Sequence, residues 1–169
     1  MVVVDNNILS SLSKINRLNL LNKVFDQVST IPSVIEELHG GGVADSEFVG
    51  RIEEKKSNNG GWLKIRSLTE EELEFAEKVI DNSLSFTDAE CIAAAKTQDK
   101  ILLTDDKHVG EIASQNNIKV WDLKLFIQAC IVKDLIETQP QLDKLIQQLE
   151  TEDNYQFTGQ DREDLKKRL

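Results

Sequence analysis

Five short aliphatic runs, separated by stretches with helical periodicity, constrain the fold of this chain more than any other feature. The runs are "VVV" at 2–4, "QVSTI" at 27–31, "WLKIRSL" at 62–68, "KILLT" at 100–104 and "IKVWDL" at 118–123. Each run has the length of a buried strand, and the segments between them are long enough for crossover helices. The pattern predicts a three-layer α/β/α fold with a parallel sheet of about five strands, covered by helices on both faces.

The length of 169 residues favours one domain with a full hydrophobic core, and Pro140 opens a segment of different character. We predict an α/β domain at residues 1–137 and a helical C-terminal extension at residues 138–169. The extension carries one apolar stripe and ends in a charged helix from Thr158. We expect the stripe, which consists of Leu142, Leu145, Ile146 and Leu149, to pack on the domain. A partner-binding arm is the alternative.

The composition limits the classes of partner. The 20 Lys and Arg against 30 Asp and Glu give a net charge of −10, which argues against indiscriminate binding to a nucleic-acid backbone. It does not exclude a nucleic-acid substrate, because bound divalent cations can reverse the local field. The two cysteines, Cys91 and Cys130, lack the spacing of a zinc site. The first residues lack the basic region of a signal peptide, and no apolar run reaches membrane-spanning length, so we expect a cytoplasmic protein without a membrane partner.

Acidic residues follow two of the predicted strands. Asp5 comes directly after the first run, and Asp105 and Asp106 come directly after the fourth. If these strands are neighbours, the three carboxylates share one edge of the sheet and repel one another unless cations bind there. A turn and a helix cap are the simpler explanation. One aspartate of the pair caps the next helix and the other faces the crevice, and the sequence leaves open which does which.

Two further acids are selected by helical-wheel geometry. In "PSVIEELHG", Glu37 lies on the flank of the apolar face, whereas Glu36 lies opposite that face, in solvent. In "TDAECIAAA", Asp88 lies among the buried positions and Glu90 points away, with Thr87 and Glu90 forming a capping box. A buried acid costs free energy unless it is paired or metal-bound. The favourable place of acids in a first helical turn explains Asp88 equally simply.

Four segments together resemble the PIN-domain ribonucleases, especially prokaryotic stand-alone members close to the toxins of VapC-type toxin–antitoxin pairs. The segments are "VVVDNNILSSLSKINRLNLL", "IPSVIEEL", "SFTDAECIAAAK" and "ILLTDDKHVGEIA", in the order of the family. The likeness extends from residue 2 to about residue 135, and the tail resembles the helical tail of some stand-alone members. The resemblance implies strand order 3-2-1-4-5, a Mg²⁺ or Mn²⁺ cofactor, and hydrolysis of single-stranded RNA by metal-activated water.

The resemblance also assigns roles to residues. It implies four catalytic acids, a metal set drawn from the aspartates, and supporting residues around them. The catalytic acids are Asp5, Glu37, Asp88 and Asp106. The metal ligands are Asp5, Asp88 and Asp106, with Asp105 as a further candidate. The supporting residues are Asn7 and Thr104. Asn7 could equally cap the next helix. Two departures, Asn6-Asn7 where the family often has Thr or Ser, and Gly110 where relatives often carry Arg, bear on substrate contacts or rate.

Partners follow from the same resemblance. They are a single-stranded RNA substrate, a small antitoxin protein if the chain is a toxin, and a second copy in a homodimer. The alternative function is a catalytically silent PIN domain that binds RNA or protein. Receiver-like domains and haloacid-dehalogenase phosphatases also cluster aspartates at strand ends. The chain lacks the acid of the former after "LKIRSL", and it lacks the Asp-x-Asp of the latter after the first strand.

Overall fold

The computed structural model describes residues 1–40, 46–80, 83–97 and 100–169. Its centre is a five-stranded parallel sheet in the order β3-β2-β1-β4-β5. The strands are β1 (Val2–Val4), β2 (Val28–Thr30), β3 (Leu63–Ile65), β4 (Ile101–Leu103) and β5 (Lys119–Trp121). The predicted fold class and strand order are therefore confirmed.

Ten helices are present in the described part of the chain. They are α1 (Asn6–Lys14), α2 (Asn19–Val24), α3 (Pro32–Gly40), α4 (Glu47–Lys55), α5 (Glu70–Val79), α6 (Phe86–Lys96), α7 (Lys107–Gln115), α8 (Leu123–Val132), α9 (Gln139–Glu152) and α10 (Gly159–Lys166). A short 3-10 turn, Ser57–Asn59, follows α4.

Helix starts follow from side-chain caps. The expected capping box of α5 is present, because the Thr69 hydroxyl accepts from the Glu72 amide while the Glu72 carboxylate accepts from the Thr69 amide. That helix ends at Val79, short of the predicted end near Asn82, which lies outside the described residues. The predicted stop of α3 at Gly40 to Gly42 reaches residues that are not described either; the described helix ends at Gly40.

The capping box of α6 is not the predicted one. Its N-cap is Ser85, which pairs with Asp88, so the prediction of a box between Thr87 and Glu90 is wrong. The helix begins two residues earlier than that box requires, with Phe86 already in the first turn. This earlier start places Asp88, rather than Glu90, at the position where a carboxylate satisfies the free amides of the helix.

Helices cover the sheet on both sides. On one side α6 packs on β1 and β4 and contacts α5 and α7. On the other, α1 contacts α3, α4 and α9, while α8 contacts β5, α2 and α10. All three residues of β1 are buried, as expected of a central strand in a parallel sheet.

The C-terminal helices lie against the rest of the fold. The apolar stripe of α9 is buried in the same core as the strands, from Leu142 (fully buried) to Leu149 (fully buried). Asp153, just after α9, accepts a hydrogen bond from the Ser11 hydroxyl and forms a 2.6 Å ion pair with Lys14 of α1. The boundary at residues 137 and 138 stays a prediction. In the part of the chain that is described, no helix is both long and apolar enough to cross a membrane.

Candidate active site at the carboxyl edge of the sheet

The register of β1 and β4 brings the first candidate acid next to Thr104. Val4 pairs with Leu103, so Asp5 and Thr104 leave the sheet side by side. The Thr104 hydroxyl donates to Oδ2 of Asp5 at 2.6 Å, and Oδ1 accepts from the amide of Ile8 at 2.9 Å. The second bond makes Asp5 the N-cap of α1. Both carboxylate oxygens of this 4 % exposed side chain are therefore hydrogen-bonded.

Burial is the main influence on the ionisation of Asp5. It raises the pKa of this carboxyl to about 7, while the hydrogen bonds from Ile8 and Thr104 oppose the rise. The negative charges of Asp88 and Asp105 raise the pKa further. Asp88 and Asp105 thus lie close enough to Asp5 to destabilise its charged form, which favours a cation at this edge.

Asp88 is held by the capping box at the start of α6. Its Oδ2 accepts from the Ser85 hydroxyl at 2.6 Å and from the Ser85 amide at 3.3 Å. Among the described residues, none donates to the other oxygen, Oδ1. The macrodipole explanation of Asp88 and a chemical role are therefore compatible. Oδ2 stabilises the start of the helix, and Oδ1 receives no hydrogen bond from a described residue.

Glu37 is exposed on α3 and reaches toward the start of α1. Its Oε2 accepts from the side-chain amide of Asn6 at 3.3 Å. Glu36 is also exposed, as the wheel predicts. The contact of Glu37 is with Asn6 and not with the predicted supporting residue Asn7, which is exposed within α1. Asn7 does not cap that helix, because Asp5 does.

The buried thiol of Cys91 lies within electrostatic range of several of the acids. Burial raises its pKa well above the ordinary value, and the charges of four carboxylates raise it further. These carboxylates belong to Asp5, Asp88, Glu37 and Glu90, which come from β1, α6 and α3. The first three are acids that the sequence singles out, and each lies near enough to Cys91 to act on its pKa.

Glu90 corrects the prediction from the helical wheel. It is only 8 % exposed, and the Ser33 hydroxyl of α3 donates to its Oε2. The wheel placed it in solvent because a wheel assumes one exposed face, whereas the middle of α6 is buried on every side from Ala89 to Ala95. A continuous run of small residues, "AECIAAA", is the sequence signal that could have indicated a fully buried helix.

The paired aspartates divide their roles. Asp106 caps α7, its Oδ1 accepting from the amides of His108 at 2.8 Å and Val109 at 3.1 Å. Asp105 is half-buried, and its Oδ1 accepts from the amide of Leu123 at 3.1 Å. Burial raises the pKa of Asp105. The cap of the following helix, which the sequence left open between the two residues, is therefore Asp106. Asp105 is the member of the pair whose charge raises the pKa of Asp5.

Tyr155 is a neighbour of the site that sequence reasoning missed. Burial raises its pKa, and the adjacent charge of Asp105 raises it further. Tyr155 and Asp105 line a groove of about 940 Å³ that runs from the end of β4 past α7 and α8. The residue stands in the tail, fifty positions after Asp105, and no local pattern connects the two.

The donor set suits a hard divalent cation. Every candidate ligand is a carboxylate, which is the chemistry that Mg²⁺ and Mn²⁺ prefer. Oδ1 of Asp88 and Oδ2 of Asp106 receive no hydrogen bond from any described residue. In their present orientations, however, no three His, Cys, Asp or Glu side chains of the described residues are grouped closely enough to hold a metal ion. The residues fit such an ion by chemistry, and binding requires side-chain rotation.

A parallel 3-2-1-4-5 sheet with acids gathered at the carboxyl ends of its central strands defines a PIN-like α/β fold. The model of the family DUF3368, described as a PIN domain, matches residues 1–155, and the chain belongs to this family. PIN domains are generally nucleases, so membership indicates a nuclease-type function. No curated protein matches the chain.

One similar solved structure is a domain of a functionally unknown protein from Methanocaldococcus jannaschii DSM 2661. It is 22 % identical in sequence, the match covers 72 % of this chain and 89 % of that one, and the TM-score is 0.45.

Proposed function

We propose that this PIN-domain protein is a metal-dependent endoribonuclease that hydrolyses single-stranded RNA with Mg²⁺ or Mn²⁺. The observation that supports the proposal most is the state of Asp5. Its carboxyl is buried at the carboxyl edge of the sheet, and the charges of Asp88 and Asp105 oppose its ionisation. A cation at this place offsets the repulsion and favours the charged form of Asp5 at neutral pH.

In this proposal the ion is held by Asp5 and Asp88, with Glu37 and one or both of Asp105 and Asp106 completing the set. A bound divalent cation supplies positive charge for the developing charge on phosphate and lowers the pKa of water. Asp105 and Asp106 both remain candidates. Asp105 is favoured by its electrostatic coupling to Asp5, and Asp106 by its free Oδ2.

The chain's own residues position these acids. The amide of Ile8 and the hydroxyl of Thr104 hold the two oxygens of Asp5, and Ser85 holds one oxygen of Asp88. Asn7 remains a proposed supporting residue, exposed beside the same helix start. The reaction consumes one water, breaks the bond from phosphorus to the 3′ oxygen, and leaves a 5′-phosphate and a 3′-hydroxyl. No protein nucleophile is required.

A second candidate, a silent PIN domain that binds RNA or protein, is favoured by one observation. Asp5 and Asp106 are helix N-caps and Asp88 completes the capping box of α6, so the fold uses these acids without any chemistry. A toxin role with a small antitoxin, a homodimer and a cytoplasmic location are further proposals that follow from the resemblance alone.

The experiment is cleavage of a mixed pool of single-stranded RNAs, with and without added Mn²⁺ or Mg²⁺, by wild type and by Asp88→Asn. The amide oxygen of asparagine can keep the hydrogen bonds from Ser85, so the variant should fold. We expect cleavage by wild type only, abolished by a chelator. Asp26→Asn, a change at an exposed aspartate between α2 and β2, is the matched control and should cleave like wild type.

Equal cleavage by Asp88→Asn and wild type would contradict the assignment of Asp88. Absence of metal-dependent cleavage from wild type, together with recovery of one small partner protein in a pull-down, would favour the silent binding module.

A further inference from the structure

The opposite edge of the sheet contains a buried lysine. Lys100 directly precedes β4 and is only 3 % exposed. It stands four residues before Thr104, so the two edges are about 13 Å apart at the usual rise of a strand. Among the described residues, no carboxylate lies within ion-pair distance of its ammonium group, and no acceptor takes a hydrogen bond from it. Most of the side chain is covered, while the ammonium nitrogen is not among the fully buried unpartnered atoms and so keeps contact with solvent.

Two more cations lie near Lys100. Lys64 and Arg66 are two positions apart at β3 and so share one face of the sheet. Burial lowers the pKa of Lys100 to about 8, the charges of Arg66 and Lys64 also lower it, and Glu72 opposes them. Among the described residues, the charges that act on Lys100 are two further cations and one carboxylate, in a chain whose overall charge is −10.

Arg66 is already committed to the fold. Its guanidinium donates to both carboxylate oxygens of Glu72, at 2.8 and 3.0 Å, and to the carbonyl of Ala94 at 3.3 Å. Lys64 is exposed and, like Lys100, has no ion-pair partner in the described ranges. The cations available to contact a ligand are therefore Lys100 and Lys64. Arg66 contributes positive charge nearby without a direct contact.

A cavity joins these groups. It has a volume of about 410 Å³ and is lined by Lys64, Arg66 and Lys100, by the hydroxyl-bearing Ser57, and by the apolar Val28 and Ile65. Its volume lies within the range of small-molecule sites, which is roughly 300–1,000 Å³. Counted over the described residues, three cations and one carboxylate leave an excess of two positive charges, which matches a phosphate monoester of charge about −1.5 to −2 at neutral pH.

We propose that this cavity is a binding site for a small phosphate-bearing anion, with Lys100 and Lys64 as its direct contacts. The site is separate from the acidic edge and does not depend on the proposed nuclease activity. Ser57 supplies a hydroxyl donor, and the apolar lining suits a ligand with a nucleoside portion.

The test is calorimetric titration of the full chain, without divalent metal, using inorganic phosphate, adenosine monophosphate and adenosine as probes. We expect both phosphates to bind and neutral adenosine not to bind. Tighter binding of the nucleotide identifies a nucleotide ligand, and equal binding identifies free phosphate. Loss of one charge-assisted contact should weaken binding about tenfold in Lys100→Met and in Lys64→Met.

Lys119→Met, a change at an exposed strand lysine of β5, is the matched control and should bind like wild type. Methionine resembles the lysine stem, so Lys100→Met should fold, and the exposed Lys64 gives an independent test if it does not. Asp88→Asn should bind phosphate normally, which separates this proposal from the nuclease proposal. No binding by wild type above matched chloride, or binding by Lys64→Met and Lys100→Met as tight as that of wild type, would overturn the site.

Discussion

The Thr104 hydroxyl donates a 2.6 Å hydrogen bond to Asp5, a residue 99 positions away in the chain. The contact exists because β1 and β4 are adjacent and in register, which places the two residues together as their strands end. It fixes one oxygen of Asp5 and favours the charged form of a carboxyl that burial makes hard to ionise. The pH dependence expected of the protein depends on this balance between burial, which disfavours the charge of Asp5, and the hydrogen bond, which favours it.

The ionisation of Asp5 should make the metal-free protein less stable as pH rises from about 4 to about 7. The folded pKa is about 7 against an ordinary value of 3.8, so within this window the folded state binds more protons than the unfolded state. The free energy of unfolding therefore falls as pH rises, by on the order of a few kcal/mol. Urea denaturation at pH 4, 5, 6 and 7 in a chelator measures it. Asp5→Asn should flatten this slope, and an equal slope in both proteins would contradict the pKa assignment.

Mn²⁺ or Mg²⁺ should stabilise wild type and not Asp5→Asn. A ligand that binds only the folded state at a hundred times its Kd adds about 2.7 kcal/mol to the free energy of unfolding. Thermal unfolding at pH 7.5 with increasing Mn²⁺ should therefore raise the Tm of wild type, and chelation should reverse the rise. The Asp26→Asn protein should respond like wild type. A similar increase in Asp5→Asn would place the ion elsewhere.

Asp105→Asn should weaken Mn²⁺ binding more than Asp106→Asn does. The charge of Asp105 acts on Asp5, whereas Asp106 is occupied by the amides that start α7. An asparagine at 106 keeps a capping oxygen, so that variant should also remain stable. Titration of Mn²⁺, followed by electron paramagnetic resonance of the free ion, compares the two affinities. The opposite order would select Asp106 as the ligand, as the family resemblance implies.

Glu72→Gln should lower stability at pH 7 and should have less effect in acid. Burial disfavours the charge of Glu72, but hydrogen bonds from Arg66, Thr97 and Thr69 outweigh it and lower the pKa to about 2 from 4.5. The charged form therefore stabilises the fold above pH 4.5, and this contribution is lost as pH falls toward 2. The size is roughly 1–3 kcal/mol at neutral pH.

Denaturation at pH 7 and pH 2.5 measures the difference between wild type and Glu72→Gln. The control is Glu74→Gln, at an exposed position of the same helix, which should change little at either pH. A difference that grows in acid would show that Glu72 is not held as a charged partner of Arg66.

Leu149→Ala should destabilise the whole fold by about 2–5 kcal/mol. Leu149 is fully buried in α9, although it lies in the predicted extension. The same substitution at Leu73, which is 39 % exposed, should cost far less. Chemical denaturation followed separately by fluorescence and circular dichroism checks both size and cooperativity. A separate early transition for the tail would indicate that the extension folds independently.

The sheet could be predicted because its strands are aliphatic, short and evenly separated by helices. Strand order came from the family resemblance and not from the pattern, since alternation alone does not say which strands are neighbours. The capping box of α5 was visible because Thr69 and Glu72 act within one turn. Signals of this kind depend on a few neighbouring residues, so long-range packing seldom changes the local structure that they predict.

The details of the candidate site were harder to predict because they depend on long-range packing. Glu90 was misplaced because the helix around it is enclosed by the sheet, α5 and α7. The division of labour between Asp105 and Asp106 depends on where α7 and α8 start, and the presence of Tyr155 depends on how the tail returns to the site. None of these is encoded within a few residues of the acid concerned.

The double use of acids as helix caps has a consequence for evolutionary drift. A lineage that lost catalysis would still be under selection to keep Asp5, Asp88 and Asp106, because Asp5 and Asp106 are the N-caps of α1 and α7 and Asp88 completes the capping box of α6. Glu37 starts no helix; its described hydrogen bond is a 3.3 Å contact from the side-chain amide of Asn6. Among descendants, silent members should therefore lose Glu37 first, which makes this position the more informative record of whether the chemistry persists.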